Sequence, residues 1–361
     1  MRARHVFVVL AAIMLGGCAG NGGQRVLHFG MSDAPEGKRV MWPAESEVPR
    51  YLYAGQLVGE ANFRKTDAAR EGIGGFLRWI AGIVAGEQAP VVLQRPQSGA
   101  VDENGRIYVT DTSRQALFVF DQGAGELLVW DKAEGLAGFI APVGVALGPS
   151  GQVLVSDAEL GIVARLDRKG NPQRSFGKGI LKRPTGIAYD AKRGWIYVAD
   201  TRAHDVKVFD SAGVLVKVIG RPGEGAGEFN APTHLAFAHD ELYVIDALNN
   251  RVQVFGNGGE TLRLKFGARG LYVGNFVRPK GVAVDSEGNI YVVESYYDRL
   301  LVFDKYGNFL MPIDGAGLET GRFYLPAGVW TDSRNRVFVA DMFNGRVVLF
   351  QFLGGGADGE L

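Results

Sequence analysis

Five histidines, one cysteine and a recurring set of turn carboxylates are the groups in this 361-residue chain with the chemistry to build a site. The histidines are His5, His28, His204, His234 and His239, and the last two fall at opposite ends of one short apolar run. A bound zinc or calcium ion needs three or more ligating side chains brought to one point. The apolar runs that would line such a centre carry almost none, so no metal and no other cofactor is expected. The carboxylates Asp111, Asp157, Asp200, Asp246, Glu294 and Asp341 each close a short apolar strand. Behind the last three, an arginine follows five residues on, at Arg251, Arg299 and Arg346, within reach of a charge-assisted hydrogen bond across a tight turn. Ala116, Ile162 and Asp205 hold that place behind the first three, with Glu159 and Asp205 adding acid nearby. Either these degenerate turns have drifted, or that sector receives a cationic or polar partner. Tyr296, Tyr297, Phe343, Asn249 and Asn344, joined by Thr185, His204, Thr233, His234 and Lys280, are the candidate partner-binding residues. Aromatic and amide groups on rigid turns suit recognition of a protein segment or a glycan. Nothing in the set assembles a nucleophile, a base and a group to orient it, so no catalytic residue is assigned.

A repeat positions these groups. The stretch from Arg278, "RPKGVAVDSEGNIYVVESYYDRLLVFD", has counterparts along the chain whose opening prolines are Pro96, Pro142, Pro184, Pro232, Pro279 and Pro326, at steps of 46, 42, 48, 47 and 47 residues. Each copy alternates apolar strands with turns rich in Asp, Gly and Asn, and a fourth strand such as "LRLKFG" follows. Four antiparallel strands at a period in the forties describe one blade of a β-propeller. Six copies predict an all-β, six-bladed ring over 48–352, because closure removes the exposed sheet edges that an open stack would keep. The segment "PRYLYAGQLVGE", residues 49–60, is placed to give the last blade its outermost strand. One segment does not repeat: in 72–88, Ile73, Phe76, Leu77, Ile80, Ile83 and Val84 recur at amphipathic-helix spacing. This insert would pack on the propeller, or touch a membrane through Trp79 and Arg78.

The pattern P-x-G-[IV]-A-[VY]-D, followed by an aromatic and valine-rich strand ending in Asp or Glu and then by N-x-[RK]-V-x-V-F, resembles the NHL-repeat family of six-bladed propellers across residues 90–352. With its N-terminal layout, the chain resembles the bacterial NHL-repeat lipoproteins. The resemblance implies a non-catalytic binding or scaffold module for an exported protein, peptide or glycan. Its alternative is a metal-dependent propeller enzyme of the peptidyl-amidating-lyase or lactonase kind, which would need several histidines in one channel. Some NHL propellers bind nucleic acid through a basic face, but 39 basic against 39 acidic residues gives no such bias, and no nucleic-acid partner is expected.

The N-terminus supports export. A basic start, "MRARH", leads into the apolar "VFVVLAAIMLGG" and then Cys18, the layout of a signal peptide over residues 1–17. "LGGC", ending at Cys18, resembles a lipobox, which implies cleavage before Cys18 and its acylation, with Ala19 next to it favouring the outer membrane. Residues 18–47 would be a flexible tether and 353–361 a disordered tail. With no second cysteine there is no intramolecular disulfide, and the core alone must hold the fold.

Overall fold

The computed structural model describes residues 25–29, 40–43, 48–65 and 90–354. The repeated apolar runs are strands because valine, isoleucine and aromatic side chains suit a pleated surface packed on both faces. Ile290–Glu294 and Ala116–Asp121 are buried along their whole length. Turns of the DSEGN type end them: Asp285 accepts hydrogen bonds from the amides of Glu287 and Asn289, replacing the ladder bonds that stop there.

The strands form six radial sheets, here called blades 1 to 6 in chain order, opening at Pro96–Val101, Pro142–Leu147, Pro184–Asp190, Pro232–Ala238, Pro279–Val284 and Val329–Thr331. Blades 1 to 5 are consecutive four-stranded antiparallel meanders. In blade 6, Tyr51–Leu57 pairs with Arg346–Phe352, and Met41–Trp42 adds a fifth strand beyond it. An N-terminal strand thus locks the C-terminal one and closes the ring. The hydrophobic core divides into six clusters, one between each pair of neighbouring blades, including the pair formed by blade 6 and blade 1. Around the axis the inner strands approach closely: a Cβ on Gly186 would lie 2.6 Å from the Cα of His234, and one on Gly281 would lie 2.8 Å from the amide nitrogen of Val329.

Two features depart from the sequence reading. Within the expected tether, Arg25–Leu27 pairs with Phe63–Lys65 and Met41–Trp42 joins blade 6, so those parts are packed strands. The glycine-rich connections into blades 4, 5 and 6 are a second repeat. Each folds back on itself through an isolated parallel bridge, Pro222 with Phe229, Arg269 with Phe276 and Ala316 with Phe323, and each buries that phenylalanine completely. Cys18, the signal peptide and the 72–88 insert lie outside the described residues, as does the tail beyond Gly354. Leu353, at the start of that tail, still donates its amide to the Arg50 carbonyl at 2.8 Å.

Candidate functional site

In blades 1 to 5 the opening proline pairs with the carboxylate residue that ends the next strand, as Pro279 does with Glu294, and in blade 6 Asp341 accepts from the Tyr324 amide just before Pro326, so the interblade connectors and the second turn of every blade share one end of the ring. This loop face holds all the candidate binding residues. Its frame rests on the six carboxylates, every one of them fully buried. In blades 1, 2, 3 and 5 the carboxylate accepts from both amides that precede the opening proline. Asp111, for example, takes Gln94 N at 2.6 Å and Arg95 N at 2.9 Å. In blades 4 and 6 it takes only the first of those amides, Asn230 N and Tyr324 N. The second amide turns to the preceding blade, where His204 Nδ1 accepts from Ala231 N at 3.0 Å and Asp298 Oδ1 accepts from Leu325 N at 2.6 Å.

The arginine partners follow the same division. Arg251 Nε donates to Asp246 at 2.6 Å, while its terminal nitrogens donate to the carbonyls of Glu224, Gly225 and Glu228. Arg346 does likewise with Asp341 and the carbonyls of Leu318 and Arg322. In blade 5, Arg299 lies over the Tyr297 ring, 5.3 Å from its centroid. In the acidic sector of blades 1 to 3, Asp111, Asp157 and Asp200 are buried under amides, Glu159 pairs with Arg183 at 2.7 Å and Asp205 pairs with Lys207 at 2.7 Å. Burial is what the strand-ending position imposes, and spacing alone does not show it.

Several candidate binding residues serve the frame. Thr185 Oγ1 donates to the Thr233 carbonyl at 2.8 Å and Thr233 Oγ1 to the Lys280 carbonyl at 3.2 Å, latching blade 3 to 4 and blade 4 to 5. The amide groups of Asn249 and Asn344 hold Asp246 and Asp341 and the connector carbonyls of Gly223 and Gly317. The aromatic groups are displayed. Tyr296 packs edge-to-face on the half-buried Tyr297 at 4.9 Å, and Phe343 packs on Tyr324 at 5.5 Å beneath Arg95. Sequence reasoning missed the connector tips beside them: Leu271, Tyr272 and Leu318 are 81%, 83% and 76% exposed, more than Tyr296 at 59%. The signal was there, a bulky apolar residue inside a glycine-rich loop.

His234 and Lys280 stand at the axis. The place two residues after the opening proline holds Ser98, Gly144, Gly186, His234, Gly281 and Gly328, so His234 is the one large side chain at that level. It is 8% exposed, and neither ring nitrogen makes a hydrogen bond. Burial, aided by the Lys280 charge, pushes its pKa down to about 4, against an opposing pull from the backbone of Gln97 in blade 1 and of Lys280 in blade 5. Those neighbours put the imidazole across the bore. Burial also lowers the Lys280 ammonium, with Arg278 as the next cause. Among the described residues, no group of three or more His, Cys, Asp or Glu is arranged to hold a metal ion. On the opposite face a cleft of about 570 Å³ runs between blades 4 and 5, lined among others by Glu241, Glu287, Arg263 and Lys305, with Arg263 3.8 Å from Glu241.

Comparison with known proteins agrees with this architecture. Residues 181–266 match a family model described as a 6-bladed beta-propeller. Protein brain tumor of Drosophila melanogaster is 32% identical over 136 residues, covering 37% of this chain and 12% of that protein. NHL repeat-containing protein 3 of Mus musculus is 36% identical over 112 residues, covering 28% of this chain and 32% of that one. The chain therefore spans less than a third of the length of these relatives. Among solved structures, virginiamycin B lyase from Staphylococcus aureus superposes with a TM-score of 0.52 at 12% identity, over 72% of this chain and 95% of that one, a likeness of fold. Six radial sheets, five of four strands and one of five closed by an N-terminal strand, make the chain a six-bladed β-propeller whose repeats are similar to those of NHL-repeat proteins.

Proposed function

We propose that the protein is a non-catalytic binding propeller, exported and held to the bacterial envelope by acylated Cys18, that grips another exported protein, peptide or glycan with its loop face. One observation carries the reading: that face commits most of its polar side chains to its own frame and leaves large apolar ones, Leu271, Tyr272, Leu318 and Tyr296, standing in water. Exposed side chains of this size on braced loops mark a contact surface. The aliphatic members favour a polypeptide over a glycan, which stacks on aromatic rings. The alternative, a metal-dependent enzyme, has no group of three or more His, Cys, Asp or Glu among the described residues to support it. Crosslinking in membranes tests the proposal. Tyr296→Ala with Phe343→Ala should weaken capture of the crosslinked partner by about tenfold or more, with thermal unfolding nearly unchanged; undiminished capture would move the site elsewhere. Cys18→Ser should release the protein from membranes, and continued membrane association would refute the anchor.

A further inference from the structure

The axial mouth carries positive charge that nothing in the frame neutralises. The six strand-ending carboxylates are buried under amides and arginines, Glu159 is held by Arg183, and Asp205 by Lys207. By contrast Lys280 Nζ and the Arg278 guanidinium make no hydrogen bond or ion pair among the described residues, though Arg278 is near enough to depress the Lys280 ammonium. Beside Lys280 lies His234, more than nine-tenths buried, with neither ring nitrogen in a well-formed hydrogen bond: only the backbone of Gln97 and of Lys280 comes near enough to act on it. Ser295, on the same end of blade 5, is likewise buried with its hydroxyl unpartnered. A buried polar atom without a partner costs roughly 1–3 kcal/mol, and native structures keep few of them without a reason such as a ligand. Two separate observations therefore converge on one point: unmatched cations at the rim and an unmatched imidazole in the bore.

We propose that the mouth of the bore seats a carboxylate group, such as the C-terminal end of a bound polypeptide, between Lys280 Nζ and the His234 imidazole, with Arg278 at its outer side. The glycines flanking His234 bring the inner strands together, so the bore admits the tip of a ligand rather than its body. A flat group with two oxygens matches one ammonium and one imidazole N–H; a tetrahedral dianion would need donors around its full circumference, and the inner strands offer mainly apolar and glycine positions there. The seat deepens the binding proposal and rests on the loop face being the contact surface, while adding a feature the exposed side chains do not imply: recognition of a chain end.

Nuclear magnetic resonance of the full chain labelled at histidine reads the seat directly, with the His234 signal assigned by its loss in His234→Gln. Acetate added at constant ionic strength should shift that signal saturably, and a short peptide with a free C-terminus should do so at lower concentration than the same peptide amidated. Lys280→Met should weaken the acetate response about tenfold, one charge-assisted hydrogen bond, without moving the melting temperature. A His234 signal indifferent to acetate, or shifted equally by chloride, overturns the seat, and saturation by phosphate alone overturns its assignment to a carboxylate. The wild-type titration decides the matter even where Lys280→Met folds poorly. Because acetate does not engage Tyr296 or Phe343, failure here leaves the exposed contact surface standing, and failure there leaves this seat standing.

Discussion

Blades 4 and 6 differ from blades 1 and 2 in how they hold the same buried carboxylate. In blades 1 and 2 the backbone does everything: Asp111 and Asp157 each accept from the two amides before the proline and from two more in the following turn. In blades 4 and 6 a guanidinium enters beside the carboxylate, fans out onto three carbonyls of a looped connector in blade 4, and in blade 6 reaches the equivalent loop and Gln56 of the ring-closing strand. The displaced proline-side residues, Ala231 and Leu325, take left-handed φ of 55° and 48° and give their amides to the blade before. A neutral hydrogen-bond scheme suffices for a short connection. In blades 4 and 6 a five-donor planar cation ties down the carbonyls of the looped connector from one buried position.

Removing that cation should produce the largest effect. Arg346→Met leaves Asp341 buried without its partner and the connector carbonyls unpaired, and the loss of a buried ion pair's cation costs about 3–5 kcal/mol. Chemical denaturation should show it, with Arg251→Met close behind. Arg114→Met in blade 1, where the arginine makes one exposed hydrogen bond to the Val92 carbonyl, should stay within about 0.5 kcal/mol. Equal costs in blades 1 and 6 would show that the guanidinium is ornamental.

The next contrast sets His234 against the five small residues that share its level around the bore. An unfolded histidine titrates near 6.5 and the folded one near 4. Between those values the unfolded chain binds more protons, so the sign is fixed: stability is fully present above pH 6.5 and is lost as pH falls toward 4. The loss should reach about 3 kcal/mol at the acid end, at 1.36 kcal/mol per pH unit. Carboxylates titrate in the same range, so the measurement is the difference between the wild type and His234→Gln, which should narrow as pH falls. A constant difference from pH 7 to pH 4 would mean that the imidazole is not buried in the bore.

The ring and its blades were legible because a strand period of two and a repeat in the forties leave few folds open, and proline marks each blade's start. The Arg251 and Arg346 pairs were legible too, since a carboxylate and an arginine five residues apart span one tight turn. Burial was not legible. Asp111 and Asp246 look alike in sequence, and only the packed connectors reveal that both are sealed from water. Thr185, Thr233, Asn249 and Asn344 sit where surface recognition was expected, but their hydrogen bonds run sideways to the next blade or down to the frame, geometry that a one-dimensional pattern does not carry. The solvent-facing tips Leu271 and Leu318 depend on Phe276 and Phe323 being buried behind them, a pairing visible only once the loops are folded.

The smallest effect tests the link between blades. At the fourth residue after each strand-ending carboxylate the backbone is left-handed, at Gln115, Gly161, His204, Asn250, Asp298 and Gly345. His204 reaches across to the Ala231 amide, whereas Gln115 offers only an exposed donor to the Ile140 carbonyl at 3.2 Å. Glycine adopts this backbone without strain, so His204→Gly and Gln115→Gly differ chiefly in the hydrogen bond removed. His204→Gly orphans the part-buried Ala231 amide and should cost about 1 kcal/mol more than Gln115→Gly. The difference should vanish in His204→Asn if the shorter acceptor restores the bond. Amide hydrogen exchange at Ala231 supplies the second reading, since loss of the acceptor should speed exchange at that amide and leave Arg95 and Ala141, held by their own carboxylates, as slow as before.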